Sequence, residues 1–232
     1  MEGKMGDGTM LNADTGIIAR AMIMLWEHTA SLAEQGWEYT FELSVFEVYC
    51  ETINDLVGSD AIDKGNHEAH HDGGRTTVSN STPLEVRSPS QVVTLLRRAA
   101  KRRSTAATLM NQRSSRSHCI VVLRVRGKNS KTNDKTDAVL NLVDLAGSER
   151  LASSGAADDP VRLRETQSIN SSLSSLSDVI GAIGAAAKAP AGRQANASGA
   201  GADGSTSSID YIYRRSALTW LLKNSIGGNA KT

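Results

Sequence analysis

Apolar residues along this chain change their spacing several times, and each change marks a new element. Between residues 17 and 35, Ile17, Ile18, Ala21, Ile23, Leu25 and Leu32 form the broad stripe of a helix, which Gly36 stops. Phe41-Glu-Leu-Ser-Val-Phe-Glu-Val-Tyr49 then mostly alternates and is rich in β-formers, so it predicts a strand. Residues 51–57 predict a short turn or helix closing on Leu56 and Val57. Residues 58–82 are polar, carry Gly, Asp, Asn, Ser and three histidines, and predict a surface loop or hairpin excursion. Ser88-Pro-Ser-Gln91 starts a helix, with Ser at the cap and Pro in the first turn. Val92, Val93, Leu95, Leu96 and Ala99 carry that helix to about Ala107.

Two further strands follow, Cys119–Val125 and Val139–Leu145, the second apolar on both faces as a central strand is. Ile169, Leu173, Leu176, Ile180 and Ile183 recur at spacings of 4, 3, 4 and 3 and predict a long amphipathic helix over 168–187. Residues 184–209 are Gly, Ala and Ser with little else, the composition of a flexible insertion. A last helix, about Arg215–Ser225, ends at Gly227-Gly228. Strands separated by helices predict a layered α/β domain with helices on both faces of a sheet.

Composition changes this picture little. The net charge of +1 excludes a global argument for a nucleic-acid partner. Two distant cysteines, Cys50 and Cys119, form no disulfide framework, so a reducing compartment is expected. The opening residues, Met1-Glu-Gly-Lys-Met-Gly-Asp-Gly, are polar, and no apolar run reaches the roughly 18–20 residues of a spanning helix. A soluble protein of the cytosol is the expectation.

The chemistry lies in two short segments beside the apolar strands. Asn111-Gln-Arg-Ser-Ser-Arg-Ser-His118 supplies small hydroxyls at Ser114, Ser115 and Ser117, and Asp144-Leu-Ala-Gly-Ser-Glu149 begins with a carboxylate at a strand end. A loop that detects a terminal phosphate needs such hydroxyls. A strand-ending Asp144 can hold the water shell of Mg2+, with the Ser115 hydroxyl near the metal. Gly147 lets the backbone come close to the phosphate. Arg116 and Glu149, one in each loop, can latch them by a charge-assisted pair. The sequence holds no G-x-x-x-x-G-K-[ST] phosphate cradle.

These segments resemble the two switch loops of the kinesin motor family: Asn111–His118 matches N-x-x-S-S-R-S-H, and Leu142-Val-Asp-Leu-Ala-Gly-Ser-Glu-Arg150 matches the second switch. Gly16-Ile-Ile-Ala-Arg-Ala21 resembles the stretch beyond the phosphate loop. Thr166-Gln-Ser-Ile-Asn-Ser-Ser-Leu173 resembles the start of the relay helix. Tyr213-Arg-Arg-Ser-Ala-Leu-Thr-Trp-Leu-Leu222 and Gly227-Gly-Asn-Ala-Lys-Thr232 resemble the microtubule-facing end, with a variant most like the kinesin-3 group.

The resemblance implies a partial motor domain over 1–232, with a P-loop NTPase-like three-layer fold. The family's first strands and phosphate loop are then expected upstream, and its last strand and helix downstream. It implies ATP and Mg2+ as ligands and microtubules as partner. Nucleotide sensing then falls to Asn111, Ser115, Ser117, Asp144 and Gly147, and catalysis to Ser114, Ser115, Arg116, Gly147 and Glu149. Arg150, Asn170, Arg214 and Lys223 take the microtubule contacts. Dimerisation through a coiled coil outside this chain, and a place on the cytoplasmic microtubule cytoskeleton, follow from the same likeness.

Without the cradle, which supplies several hydrogen bonds of roughly 1.5–3 kcal/mol each, the chain alone is expected to turn over no ATP. Losing the Arg116–Glu149 latch, if it is buried, is expected to cost about 3–5 kcal/mol. Ser171 and Ala217 stand where the family often has basic residues, and Asp158-Asp159 adds negative charge, so weak, salt-sensitive microtubule binding is expected. The alternative is a non-catalytic microtubule-binding relative lacking the phosphate loop. A third reading is a metal-dependent hydrolase built on His67-Glu-Ala-His-His71, which fits H-E-x-x-H; that chemistry needs a helix, and the Gly-rich flanks oppose one. Arg97, Arg98, Lys101, Arg102 and Arg103 read as a solvated helix end.

Overall fold

The structure is a computed structural model that describes residues 16–59, 66–105, 115–148, 159–188, 208–227 and 230–231. In chain order these residues form α1 (Ile17–Ser31), β1 (Trp37–Tyr49), β2 (Thr52–Asp55), β3 (Ala69–Asp72), β4 (Arg75–Val78), β5 (Leu84–Val86), α2 (Pro89–Thr105), β6 (His118–Asn129), β7 (Lys135–Asp144), α3 (Pro160–Lys188), α4 (Ser208–Tyr213), α5 (Ala217–Leu221) and α6 (Lys223–Ile226).

The main sheet runs β2-β1-β6-β7, with β5 also on β1, and its described strands pair antiparallel. Alternation sorts its side chains into two cores. Phe41, Leu43, Val45, Val121 and Leu123 face α1 and α2, where Ile18, Met22, Val92, Leu96 and Ala99 meet them. Phe46, Val48 and Ile120 face the other way, onto Leu176 of α3 and Leu218, Leu221 and Leu222 near α5. The expected three layers, helices on both faces of a sheet, are present.

Several element bounds differ from the sequence reading, each for a local reason. Residues 51–57 are not helical. Cys50 and Glu51 take φ of 47° and 62°, the left-handed pair of a two-residue hairpin turn, and fold β2 back onto β1 with Tyr49 opposite Thr52. Gly73 and Gly74, at φ 53° and 80°, do the same between β3 and β4, so the 58–82 excursion contains a two-stranded hairpin.

α1 stops at Ser31, a 3-10 turn follows over Ala33–Gln35, and Gly36 at φ 92° leads straight into β1. β1 starts at Trp37 because its first half pairs with the far end of β6, Trp37 opposite Asn129. α3 begins at Pro160 rather than 168, since the Asp159 carboxylate accepts the Val161 N–H at 2.9 Å and Pro160 suits the first helical position. It then runs through Lys188 into the expected insertion, and α4 occupies 208–213; residues 189–207 lie outside the described residues. The single last helix becomes α5 and α6, divided at Leu222.

Candidate functional site

Because β6 and β7 are antiparallel, β6 begins where β7 ends, with Cys119 opposite Asp144. The residues before β6 and after β7 therefore emerge at one end of the sheet. The Gly147 N–H reaches the Ser115 carbonyl, 3.4 Å away, so the two sequence-predicted loops touch. Ser115, Arg116 and Asp144 are half-buried there and Gly147 is exposed. Asn111, Ser114, Glu149 and Arg150 lie outside the described residues.

The expected latch partner of Arg116 is thus undescribed, and its described partner is a different carboxylate. Arg116 Nη1 sits 2.7 Å from Glu165 Oε2 on α3, with Glu165 only 3% exposed. The Tyr49 hydroxyl donates to the other oxygen of Glu165 at 2.5 Å. The end of β1, the first loop and α3 meet on one buried carboxylate.

Ser117 turns away from the open side of its loop. It is buried, and its hydroxyl donates to Glu47 Oε1 at 2.7 Å while accepting from Arg103 Nη2 at 3.1 Å. Arg103 also donates to the Ser117 carbonyl and lies 3.5 Å from the Glu47 carboxylate. The basic end of α2 is therefore not uniformly solvated: Arg97, Arg98 and Lys101 are exposed, but Arg103 is 6% exposed and braces the first loop from beneath.

His118, the next residue, is 3% exposed. Its Nδ1 accepts the Ala146 N–H at 3.0 Å, and its Nε2 lies 2.8 Å from the Ser172 hydroxyl of α3. Burial, assisted by the nearby Arg103 charge, pushes its pKa down to about 4, so the ring is neutral near pH 7.

A second concave region lies between the β3–β4 hairpin and α4–α6, with a cavity of about 660 Å3 lined by His67, His70, His71, Arg214, Trp220 and Lys223, among others. The Arg214 guanidinium lies 4.1 Å from the Trp220 ring centroid, and Lys223 pairs with Asp210 at 2.9 Å. Burial and the Lys223 charge hold the His71 ring below its usual pKa. The H-E-x-x-H match falls on this hairpin, not on a helix. His67 Nδ1 bonds the Ser79 carbonyl at 3.0 Å, and among the described residues no cluster of three or more His, Cys, Asp or Glu side chains is placed to hold a metal. Asn170 is half-buried on α3. Among the described residues no helix is long and apolar enough to cross a membrane.

Residues 1–232 match the kinesin motor domain family. The chain is 46% identical over 236 residues to the kinesin-like protein klpA of Emericella nidulans, covering 99% of this chain and 28% of klpA. It is 40% identical over 228 residues to the kinesin-like protein KIN-14N of rice, covering 96% of this chain and 27% of that protein. The solved motor domain of the Saccharomyces cerevisiae kinesin-related protein Kar3 superposes with a TM-score of 0.71 at 37% identity, over 99% of this chain and 64% of that one. The chain thus spans about a quarter of the curated relatives' length. These likenesses run to Kar3 and KIN-14 proteins and do not support the kinesin-3 resemblance.

Proposed function

Because this chain belongs to the kinesin motor domain family, we propose that it forms the switch-bearing and microtubule-facing part of a motor that hydrolyses ATP to move along microtubules. The observation that carries this reading is the contact between the Gly147 N–H and the Ser115 carbonyl, which joins the N-x-x-S-S-R-S-H and D-L-A-G-S-E segments at one sheet end. The Ser115 hydroxyl and the Asp144 carboxylate are hard oxygen donors of the kind Mg2+ takes, Asp144 through water. Bound MgATP supplies the phosphate whose loss the loops respond to. Gly147, with no Cβ, lets the backbone come close to that phosphate, Arg116 orients the first loop, and Ser114, Glu149 and Asn111 complete the set. Ser117 holds the loop from below.

Likeness to KIN-14N and Kar3 supports a kinesin-14-like assignment. Arg214 and Lys223, beside the hairpin cavity, with Arg150 and Asn170, form the surface offered to the acidic microtubule. Internal pairing of Lys223 with Asp210 and of Arg215 with Asp178 at 2.5 Å leaves it less basic than its residue types imply, which supports salt-sensitive binding. Dimerisation, and residence on the cytoplasmic microtubule cytoskeleton, follow from the same reading. The second reading is a relative that binds microtubules without hydrolysis. Turnover decides between them. The full-length natural protein is expected to hydrolyse ATP faster with microtubules, and Gly147→Ala, whose Cβ would keep the backbone away from the phosphate, to remove at least about a hundredfold of that rate. Unstimulated turnover, or an unaffected Gly147→Ala variant, overturns the motor reading.

A further inference from the structure

His118 belongs to the first loop by sequence, yet its ring bonds to Ala146 and Ser172. It is the first residue of β6, held opposite Val48 of β1, so its backbone is fixed to the sheet. From that anchor the imidazole reaches two other elements. On one side is the amide of Ala146, two residues beyond Asp144 and next to Gly147. On the other is Ser172 of α3, itself 1% exposed.

The direction of each bond is forced. A backbone N–H can only donate, so Nδ1 of His118 is the acceptor for Ala146 at 3.0 Å. The ring proton then sits on Nε2 and goes to the Ser172 hydroxyl at 2.8 Å. Ser172 passes its own proton on to the Ile169 carbonyl at 2.8 Å. One acceptor and one donor on a rigid ring, both buried, define a single relative placement of the 145–148 loop and α3. If Ala146 moves, Nδ1 loses its partner; turning the ring after it breaks the bond to Ser172.

We propose that His118 is a positioning residue that couples the 145–148 loop to helix α3, holding the Ala146 amide on Nδ1 and the Ser172 hydroxyl on Nε2. This deepens the motor reading and rests on it for its consequence: the peptide beside Gly147 cannot reorient toward a phosphate without changing the hold on α3. Coupling of this kind is a shared two-position element, not a matter of proximity alone.

Residue-resolved amide exchange on the full-length natural protein tests it. Ser172→Ala removes only the acceptor on α3 and does not touch the loop, yet the Ala146 amide is expected to exchange roughly two- to tenfold faster. His118→Asn keeps an oxygen near the Nδ1 position and loses the reach to Ser172, so it is expected to give the same increase. Combining the two is expected to add nothing further. His118→Gln, which reaches Ser172 but not Ala146, is expected to free the Ala146 amide outright. A purely structural contact predicts something else: all core amides accelerate together with the loss of global stability. Unchanged Ala146 exchange in Ser172→Ala, or additive effects in the double variant, overturns the proposal. In the same proteins, the ratio of microtubule-stimulated to basal ATP turnover is expected to fall equally in Ser172→Ala and His118→Asn. No stimulated turnover in the unsubstituted protein refutes the motor reading instead, while the exchange result still decides the coupling.

Discussion

The sheet carries arginine–carboxylate clusters at both of its ends. Under the loops, Glu47 is 0% and Arg103 8% exposed at the side chain, and Arg116 and Glu165 are 17% and 3% exposed. At the far end, Arg124 pairs with Asp137 at 2.7 Å and with Glu42, Arg126 pairs with Glu42, and Arg75 of β4 joins Asp137; there Asp137 is 37% and Arg126 46% exposed. The first cluster binds three layers and the loops together. The second is a ladder of neighbours on β1, β6 and β7. Identical functional groups thus do different work. Buried, each group has few possible partners and fixes a position; near water, each has several and can exchange them.

The sharpest way to break the comparison is to delete one buried carboxylate. Glu47→Ala takes a fully buried carboxylate away from Arg103 and Ser117 and is expected to cost about 3–5 kcal/mol in denaturant unfolding. A loss under about 1 kcal/mol would place this cluster with the exposed one.

Acid tests the same region more gently. The folded pKa of His118, about 4, lies below its ordinary 6.5, so the unfolded chain takes up the proton first. The neutral ring's contribution is fully present above about pH 6.5 and is lost as pH falls toward 4, about 3 kcal/mol in all. An NMR titration of the ring that finds its pKa near 6.5 would contradict the buried arrangement.

The smallest effect belongs to the far end. The Arg124 hydrogen bond holds the Asp137 carboxyl below its usual pKa, so its contribution is present at neutral pH and fades in acid. Its exposure limits the gain. Asp137→Asn is expected to cost under about 1 kcal/mol, and less at high salt. A larger, salt-independent loss would show that the ladder is not a surface network.

Much of this contrast was written in the periodicities. Phe41, Leu43, Val45 and Glu47 share one face of β1, so alternation alone puts a charge on the apolar side. Val92, Leu96, Ala99 and Arg103 do the same on α2. Reading the five basic residues as one solvated cluster hid the single position on the buried stripe. Glu165 was hidden differently. The stripe Ile169, Ser172, Leu176 extends one turn back to it, but the expected helix began at 168, and only the Asp159–Pro160 cap adds that turn. The loop contact was legible as motif; the inward turn of Ser117 was not, because it depends on Glu47 and Arg103, distant in sequence. The hairpin turn at Cys50-Glu51 carries no glycine, so nothing local announced its left-handed backbone.

β7 is the outermost strand of the main sheet among the described residues, with Lys135–Val139 exposed and Leu140–Asp144 half-exposed. Among the described residues no strand covers its side away from β6, where the backbone donors and acceptors centre on Val139-Leu-Asn-Leu-Val143, a segment of high β-propensity without charge. Lys135, Asp137 and Asp144 are the gatekeepers at its ends. Wherever that edge is left bare, two copies can zip along it, so solubility is the property through which an uncovered β7 announces itself.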